Sequence, residues 1–201
     1  MLDHRDAYLQ STTPTVMVPR FGQLEPIADN THRFLIASDG LYLEVKRPWV
    51  HLRRKIADQR TVAMPYGAVS EVLSLVEFPV ELVRRFLEDA RKSLPNEAGG
   101  WLVMDTTTRQ FRYEAFNPLF ASPVHLKIHR PQLRDEESFV VDLHSHGHGQ
   151  AFFSPIDDND DRFEVKISGV LGNLDAEDPS ACFRFCCLGL MLPFNVTVTN
   201  L

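Results

Sequence analysis

The spacing of apolar positions changes along the chain, and each change marks an element. Between Phe78 and Pro95 ("FPVELVRRFLEDARKSLP") Val80, Val83, Phe86, Leu87, Ala90 and Leu94 recur at helical steps, which predicts one apolar stripe on a helix. Pro79 suits a first-turn position and Pro95 closes the run. Glu81 with Arg85, and Glu88 with Lys92, stand four residues apart with the acid first, as favourable pairs on an exposed helix face do. Elsewhere the period is two. "RFLIASDGLYLEV" reads as two strands around Ser38, Asp39 and Gly40, and "NEAGGWLVMD" with "RQFRYEAFNP" reads as a second hairpin. "SFVVDLHSH" predicts a strand with Phe139, Val141, Leu143 and Ser145 on one face and Val140, Asp142, His144 and His146 on the other. A helix start is expected from Ser154, and "VKISGVLGN", "ACFRFCCLGLM" and "FNVTVTN" read as three closing strands. Residues 1 to about 30, rich in Thr and Pro, read as an irregular or loosely strand-like lead-in. The expected organisation is a small β-rich N-terminal extension over 1–75 and a single α/β (α+β) domain over 76–201.

Composition narrows the function classes. A chain of 201 residues with 44% hydrophobic and 24% charged residues has the make-up of an ordinary globular protein with one well-buried core. A formal net charge of −6 speaks against nucleic acid as the main partner. The basic stretch is "VKRPWVHLRRK" (Val45 to Lys55), for which a solvated strand–turn edge is the plainer reading. Cys182, Cys186 and Cys187 lack the spacing of a zinc knuckle or a disulfide framework, and buried thiols in a reducing compartment account for them. Neither a basic-then-apolar leader nor a run of membrane-spanning length is evident, so no membrane partner and a cytoplasmic location are expected.

The chemistry concentrates in "DLHSHGHGQAFFSPIDD", Asp142 to Asp158. His144 and His146 leave one face of the strand at its C-terminal end, a spacing that suits two imidazoles on one ion. "SPID" has two readings. Ser154 as N-cap, Pro155 as first helical residue and Asp157 as the third make a capping box with Asp in place of Glu. The same helix start could also deliver a carboxylate beside the histidines. Three protein ligands would leave a fourth zinc position open for water, as in catalytic sites, and imidazole ligands favour zinc over magnesium or calcium.

His144-Ser145-His146, seven residues, Ser154, two residues, Asp157 resembles the H-[S/T]-H-x7-S-x2-D signature of the JAMM (JAB1/MPN/Mov34) zinc metalloproteases, in their prokaryotic JAB form. The family also carries an upstream glutamate after a helix, and "NEAGGWLV" supplies Glu97 there; the match spans about residues 78 to 200. The resemblance implies a cytidine-deaminase-like mixed sheet flanked by helices. It implies one Zn²⁺ held by His144, His146 and Asp157, with Glu97 as general base then acid and Ser154 as a donor to the oxyanion. No cofactor site other than the metal is implied. Many members follow the histidine pair with proline; here Gly147 stands instead, loosening the loop, and His148 reads as a loop residue near the metal. His125 and His129 read as surface or packing residues.

Barrel phosphoesterases and amidohydrolases also begin with His-x-His on a first strand, but too little chain follows His146 for a barrel. The His-x-His-x-Asp-His pattern of metallo-β-lactamases and an EF-hand over "DDNDD" both fail at required positions. The resemblance implies hydrolysis of the peptide or isopeptide bond after the C-terminus of a ubiquitin-like protein. Its alternative is a catalytically silent scaffold of the same fold. A narrower resemblance, carried by "RFLIASDGLYLEVKRPW" and "DLHSHGHGQAFFSPIDDNDD", is to the protein A family of bacterial PRTRC gene clusters. It implies as partners the cluster's ubiquitin-like protein or its conjugates, with activating-like and conjugating-like proteins alongside.

Overall fold

The computed structural model describes residues 2–128 and 132–194, so His129 and all of "FNVTVTN" after Phe194 lie outside the described residues. The chain divides into two compact units, 1–77 and 78–201.

The first unit begins with helix α1 (His4–Thr12), followed by strands β1 (Thr15–Met17), β2 (Thr31–Ala37), β3 (Gly40–Arg47), β4 (Val50–Asp58) and β5 (Val72–Leu75). A helix therefore stands where an irregular lead-in is expected. Its start is local chemistry, the Asp3 carboxylate accepting the Arg5 N–H at 2.9 Å. None of its residues is buried, so no apolar stripe announces it in the sequence. The five strands form one sheet in sequence order, β1 parallel to β2 and the rest antiparallel. Leu35, Ala37, Tyr42 and Val18 form its core.

The basic stretch Val45 to Lys55 is the β3–β4 hairpin, and its turn residue Trp49 is buried. Its cations are paired rather than spread on a solvated edge. Glu44, fully buried, accepts from Arg33 Nε at 2.7 Å, His51 Nε2 at 3.0 Å and Arg53 Nη2 at 2.6 Å. Arg54 pairs with Glu71, and Lys55 with Asp39. Burial alone would raise the Glu44 pKa, but the hydrogen bonds from His51, Arg33 and Arg53 together hold it below its ordinary value.

In the second unit, α2 (Val80–Ser93) buries Val83, Phe86, Leu87 and Ala90 as the stripe requires. Two details differ. Pro79 sits at the N-cap rather than in the first turn, and Lys92 pairs with Asp89 at 2.9 Å, three residues back, where the expected partner was Glu88. Strands β6 (Gly99–Asp105), β7 (Phe111–Ala115), β10 (Glu137–Ser145), β11 (Val165–Gly172), β12 (Ser180–Cys187) and β13 (Leu190–Phe194) form a six-stranded mixed sheet in the order β13-β12-β11-β10-β6-β7. β8 (Pro118–Ser122) and β9 (His125–Ile128) make a separate two-stranded ribbon. "ACFRFCCLGLM" is not one strand; Leu188 and Gly189, both at positive φ, turn the chain from β12 into β13.

One parallel pair decides where chemistry can collect. β10 and β11 run parallel, and a parallel pair needs a crossover between its strands. That crossover contains helix α3 (Pro155–Asp161), so the C-terminal end of β10 and the start of α3 meet at one edge of the sheet. β10 also departs from simple alternation. A bulge between Phe139 and Val141 shifts its register on β6. Phe139 consequently stacks on Trp101 at 4.4 Å between ring centroids, and the Trp101 indole N–H donates to Asp142. Phe139 thus lies with Asp142 on the histidine face, not with Leu143 as unbroken alternation predicts. None of the helices in the described residues is long and apolar enough to cross a membrane.

Candidate metal centre

Three donor side chains converge where β10 ends and α3 begins. Donor atoms of His144, His146 and Asp157 all lie within 4.8 Å of one another, with His144 Nε2 at 3.5 Å from Asp157 Oδ1. Donors held at roughly 2.0–2.2 Å around one tetrahedral zinc stand roughly 3.3–3.6 Å apart, so the spacing suits a single small cation. The donor set, two imidazoles and a carboxylate, is that of a zinc or other transition-metal site with an open position.

His146 and Asp157 are each oriented by a further contact. His146 Nδ1 lies 3.1 Å from the Gln150 carbonyl. A carbonyl only accepts, so Nδ1 carries the proton and Nε2 keeps its lone pair for a metal. Burial, opposed by the Asp157 charge, lowers the His144 pKa and favours the neutral ring that ligation needs. The capping box and the metal reading of "SPID" prove compatible, because they use different atoms. Asp157 Oδ2 accepts the Ser154 N–H at 2.6 Å, which leaves Oδ1 turned toward His144. Ser154 Oγ accepts the Asp157 N–H at 3.3 Å, and its own hydroxyl hydrogen remains available to a substrate oxygen.

The loop after the histidines is built tightly. Gly147 is buried at φ 55°, a left-handed conformation that suits glycine, so it shapes the turn rather than loosening it. His146 N–H donates to the Leu171 carbonyl at 2.8 Å, and Asn173 N–H to Gly149 at 2.7 Å. A Cβ on Gly172 would stand 2.3 Å from the Gly149 carbonyl oxygen, so β11 approaches this loop backbone to backbone. His148 points elsewhere, pairing with Asp175 at 3.2 Å.

Glu97 lies just before β6 and lines the same cleft of about 530 Å³ as His144, His146, Ser154 and Asp157. Its N–H donates to Ser122 at the end of β8, at 2.9 Å. Burial raises its pKa; the charge of Asp157 adds to the rise while His146 and His125 oppose it. Two contributors are not read from the sequence. Ser145, fully buried between the two histidines, accepts the Ala98 N–H on its Oγ at 2.9 Å and donates its own N–H to the Ala98 carbonyl at 2.9 Å. It ties the glutamate's segment to the histidine strand. A hydroxyl in an otherwise apolar, inward-facing row needs a partner, and that requirement is the signal that could have found it. His125, exposed on the ribbon, also lines the cleft. The apolar part of the wall includes Trp101, Val124, Leu126 and Phe152.

The mixed sheet and its crossover make an α+β fold of the JAB type, with a candidate metal cluster of two histidines and one carboxylate at the end of β10. Residues 79–186, more than half of the chain, match the family model described as prokaryotic homologs of the JAB domain. The chain belongs to that family. Residues 3–76 match a second model, described as a domain of unknown function (DUF2016). No curated protein is similar enough to the chain to match it.

Proposed function

We propose that the protein is a zinc-dependent metallopeptidase that hydrolyses the peptide or isopeptide bond following the C-terminus of a ubiquitin-like protein. The observation that carries this reading is the meeting of His144, His146 and Asp157 donors within 4.8 Å, in a cleft that Glu97 and Ser154 also line. Zinc held by His144, His146 and Asp157 would supply a Lewis acid and a water whose pKa falls toward about 7. Glu97 accepts the water's proton on its carboxylate and passes it to the departing amine. In the metal-free chain, partial burial holds that carboxylate above its ordinary pKa. Ser154 donates its free hydroxyl hydrogen to the carbonyl oxygen as that oxygen gains charge. Capping by the same Oγ fixes its position before substrate arrives.

A ubiquitin-like tail is extended, and extended chains are bound by strand edges and apolar walls; Trp101, Val124, Leu126 and Phe152 supply such a wall here. Within a PRTRC-type cluster the substrate would be the cluster's own ubiquitin-like protein or its conjugates, in the cytoplasm. The test is elemental analysis of protein purified without chelator, followed by hydrolysis of ubiquitin-like fusions. About one zinc per chain with cleavage is expected. Glu97→Gln should keep the zinc and lose cleavage by roughly 10²-fold or more. Zinc without cleavage of any such fusion would favour the silent scaffold, and no zinc after zinc is supplied would overturn the reading.

A further inference from the structure

Helix α3 carries Asp157, yet it has almost no apolar anchorage. Of its seven residues only Asp161 is buried, and Ile156 is 69% exposed. A helix this short does not hold its place by propensity; side-chain contacts must dock it. The contacts present are ionic. Asp161 Oδ1 lies 2.8 Å from Lys166 Nζ on β11. Asp161 Oδ2 accepts Arg184 Nε and Nη2, from β12, at 2.9 and 2.6 Å. The third arm of the same guanidinium, Nη1, donates to Asp158 on α3. Lys166 Nζ also donates to Asp142 Oδ2 on β10 at 2.7 Å, two residues before His144. The Arg184 guanidinium stacks 3.8 Å over the Phe153 ring, in the segment that leads into the helix. The side chains of Lys166 and Arg184 are 3% and 9% exposed.

We propose that Lys166 and Arg184 are positioning residues for the metal ligand Asp157: they lock α3 against the strand that carries His144 and so set the carboxylate–imidazole spacing. The inference rests on reading His144, His146 and Asp157 as metal ligands. A buried charge chain is a poor way to gain stability, because desolvation offsets most of the attraction. It does supply direction, since a guanidinium fork donates to carboxylates in few geometries. Lys166 keeps its charge in this setting: burial pulls its pKa down, and the Asp142 and Asp161 charges more than offset that.

The alternative, that these cations merely tune the local field, predicts the opposite sign. Removing a positive charge near a divalent cation should tighten metal binding by Coulomb's law. A positioning role predicts weaker binding. The experiment measures Zn²⁺ affinity by chelator competition, and amide exchange of the metal-free chain, for wild type, Lys166→Met, Arg184→Met and the charge-keeping Arg184→Lys. We expect roughly tenfold or greater loss of Zn²⁺ affinity in both methionine variants and a smaller loss in Arg184→Lys. Exchange should quicken over 157–161 while β10 and β11 stay protected. Affinity that is unchanged or tighter, with α3 as protected as in wild type, would overturn the proposal. Should Lys166→Met lose its strand protection as well, Arg184→Lys carries the comparison and the same two results decide. A wild type that binds no Zn²⁺ while the variants still loosen α3 would sink the metal reading and the positioning role together, leaving a purely structural tie.

Discussion

Ser145 and Gly147 flank His146, and each works through its backbone surroundings rather than as a ligand. Ser145 Oγ is the acceptor for the Ala98 N–H, so Ser145→Ala leaves a half-buried donor without its partner. The expected cost is about 1–3 kcal/mol in urea unfolding, followed by Trp101 fluorescence. Because the Ala98 segment carries Glu97, the same variant should lower the turnover of ubiquitin-like fusions more than its stability loss alone would. Gly147 stands at φ 55° with the Pro95 carbonyl oxygen 3.0 Å from where a Cβ would be. Gly147→Ala should cost about 1–2 kcal/mol through left-handed strain. Metal affinity should fall with it, as His146 shifts. Both residues are visible in the sequence, yet their weight is not. A serine between two histidines gives no hint of which N–H it serves, because that N–H lies far back in the chain, in the segment just before β6.

At the scale of elements, helix α3 shows how a local motif and a tertiary site can share atoms. The capping box was legible from "SPID" alone, because capping depends only on residues within one turn. Its second use was not, since that requires the crossover to return α3 to the end of β10. Ser154→Ala should remove the Oγ half of the capping box at a cost of about 0.5–2 kcal/mol, while the backbone N–H of residue 154 still holds the Asp157 carboxylate, so metal binding should fall only as far as the helix start loosens. Ser154→Asn keeps a capping oxygen, so it should restore most of the stability while leaving hydrolysis impaired. Equal recovery of both would argue against a separate role for the hydroxyl. Strand β10 is the converse case. Its period of two is plain in the sequence, but the bulge after Phe139 reverses the phase of that residue and sends it onto Trp101. A bulge is set by pairing with β6, which alternation along one strand does not contain.

The whole chain consists of two compact units, and it has two tryptophans, Trp49 in the first and Trp101 in the second. Each can therefore report on one unit when the other is replaced by Phe. Metal bound at 144, 146 and 157 stabilises only the fold that forms the site, by about 2.7 kcal/mol at a hundredfold excess over Kd. Chelator should lower the melting transition seen by Trp101 and leave that seen by Trp49 in place. Acid should weaken both. Glu44 in the first unit and Asp161 in the second are held below their ordinary values of 4.5 and 3.8; in each case burial opposes the shift and cationic partners outweigh it. A carboxylate depressed in the folded state contributes stability that is complete above its unfolded pKa and is lost as pH falls through the folded one. Urea midpoints should thus decline below about pH 4.5, and Glu44→Gln should flatten the decline reported by Trp49.

The sequence by itself determined the elements whose signals are short in range. These are the α2 stripe, the hairpins and the capping box, which follow from periodicity and from residues within a turn of one another; the spacing of His144, His146, Ser154 and Asp157 spoke only through its resemblance to the JAMM signature. It determined little about α1, which forms on a local cap without burying a face. Tertiary structure decided what distance along the chain conceals. It brings Glu97 to the histidines through Ser145, splits the two oxygens of Asp157 between the cap and His144, and gathers Arg33, His51 and Arg53 around the buried Glu44. Those outcomes depend on which strands lie side by side. Pairing is a property of the closed sheet, in which a charge buried on one strand must find its counter-charge on another.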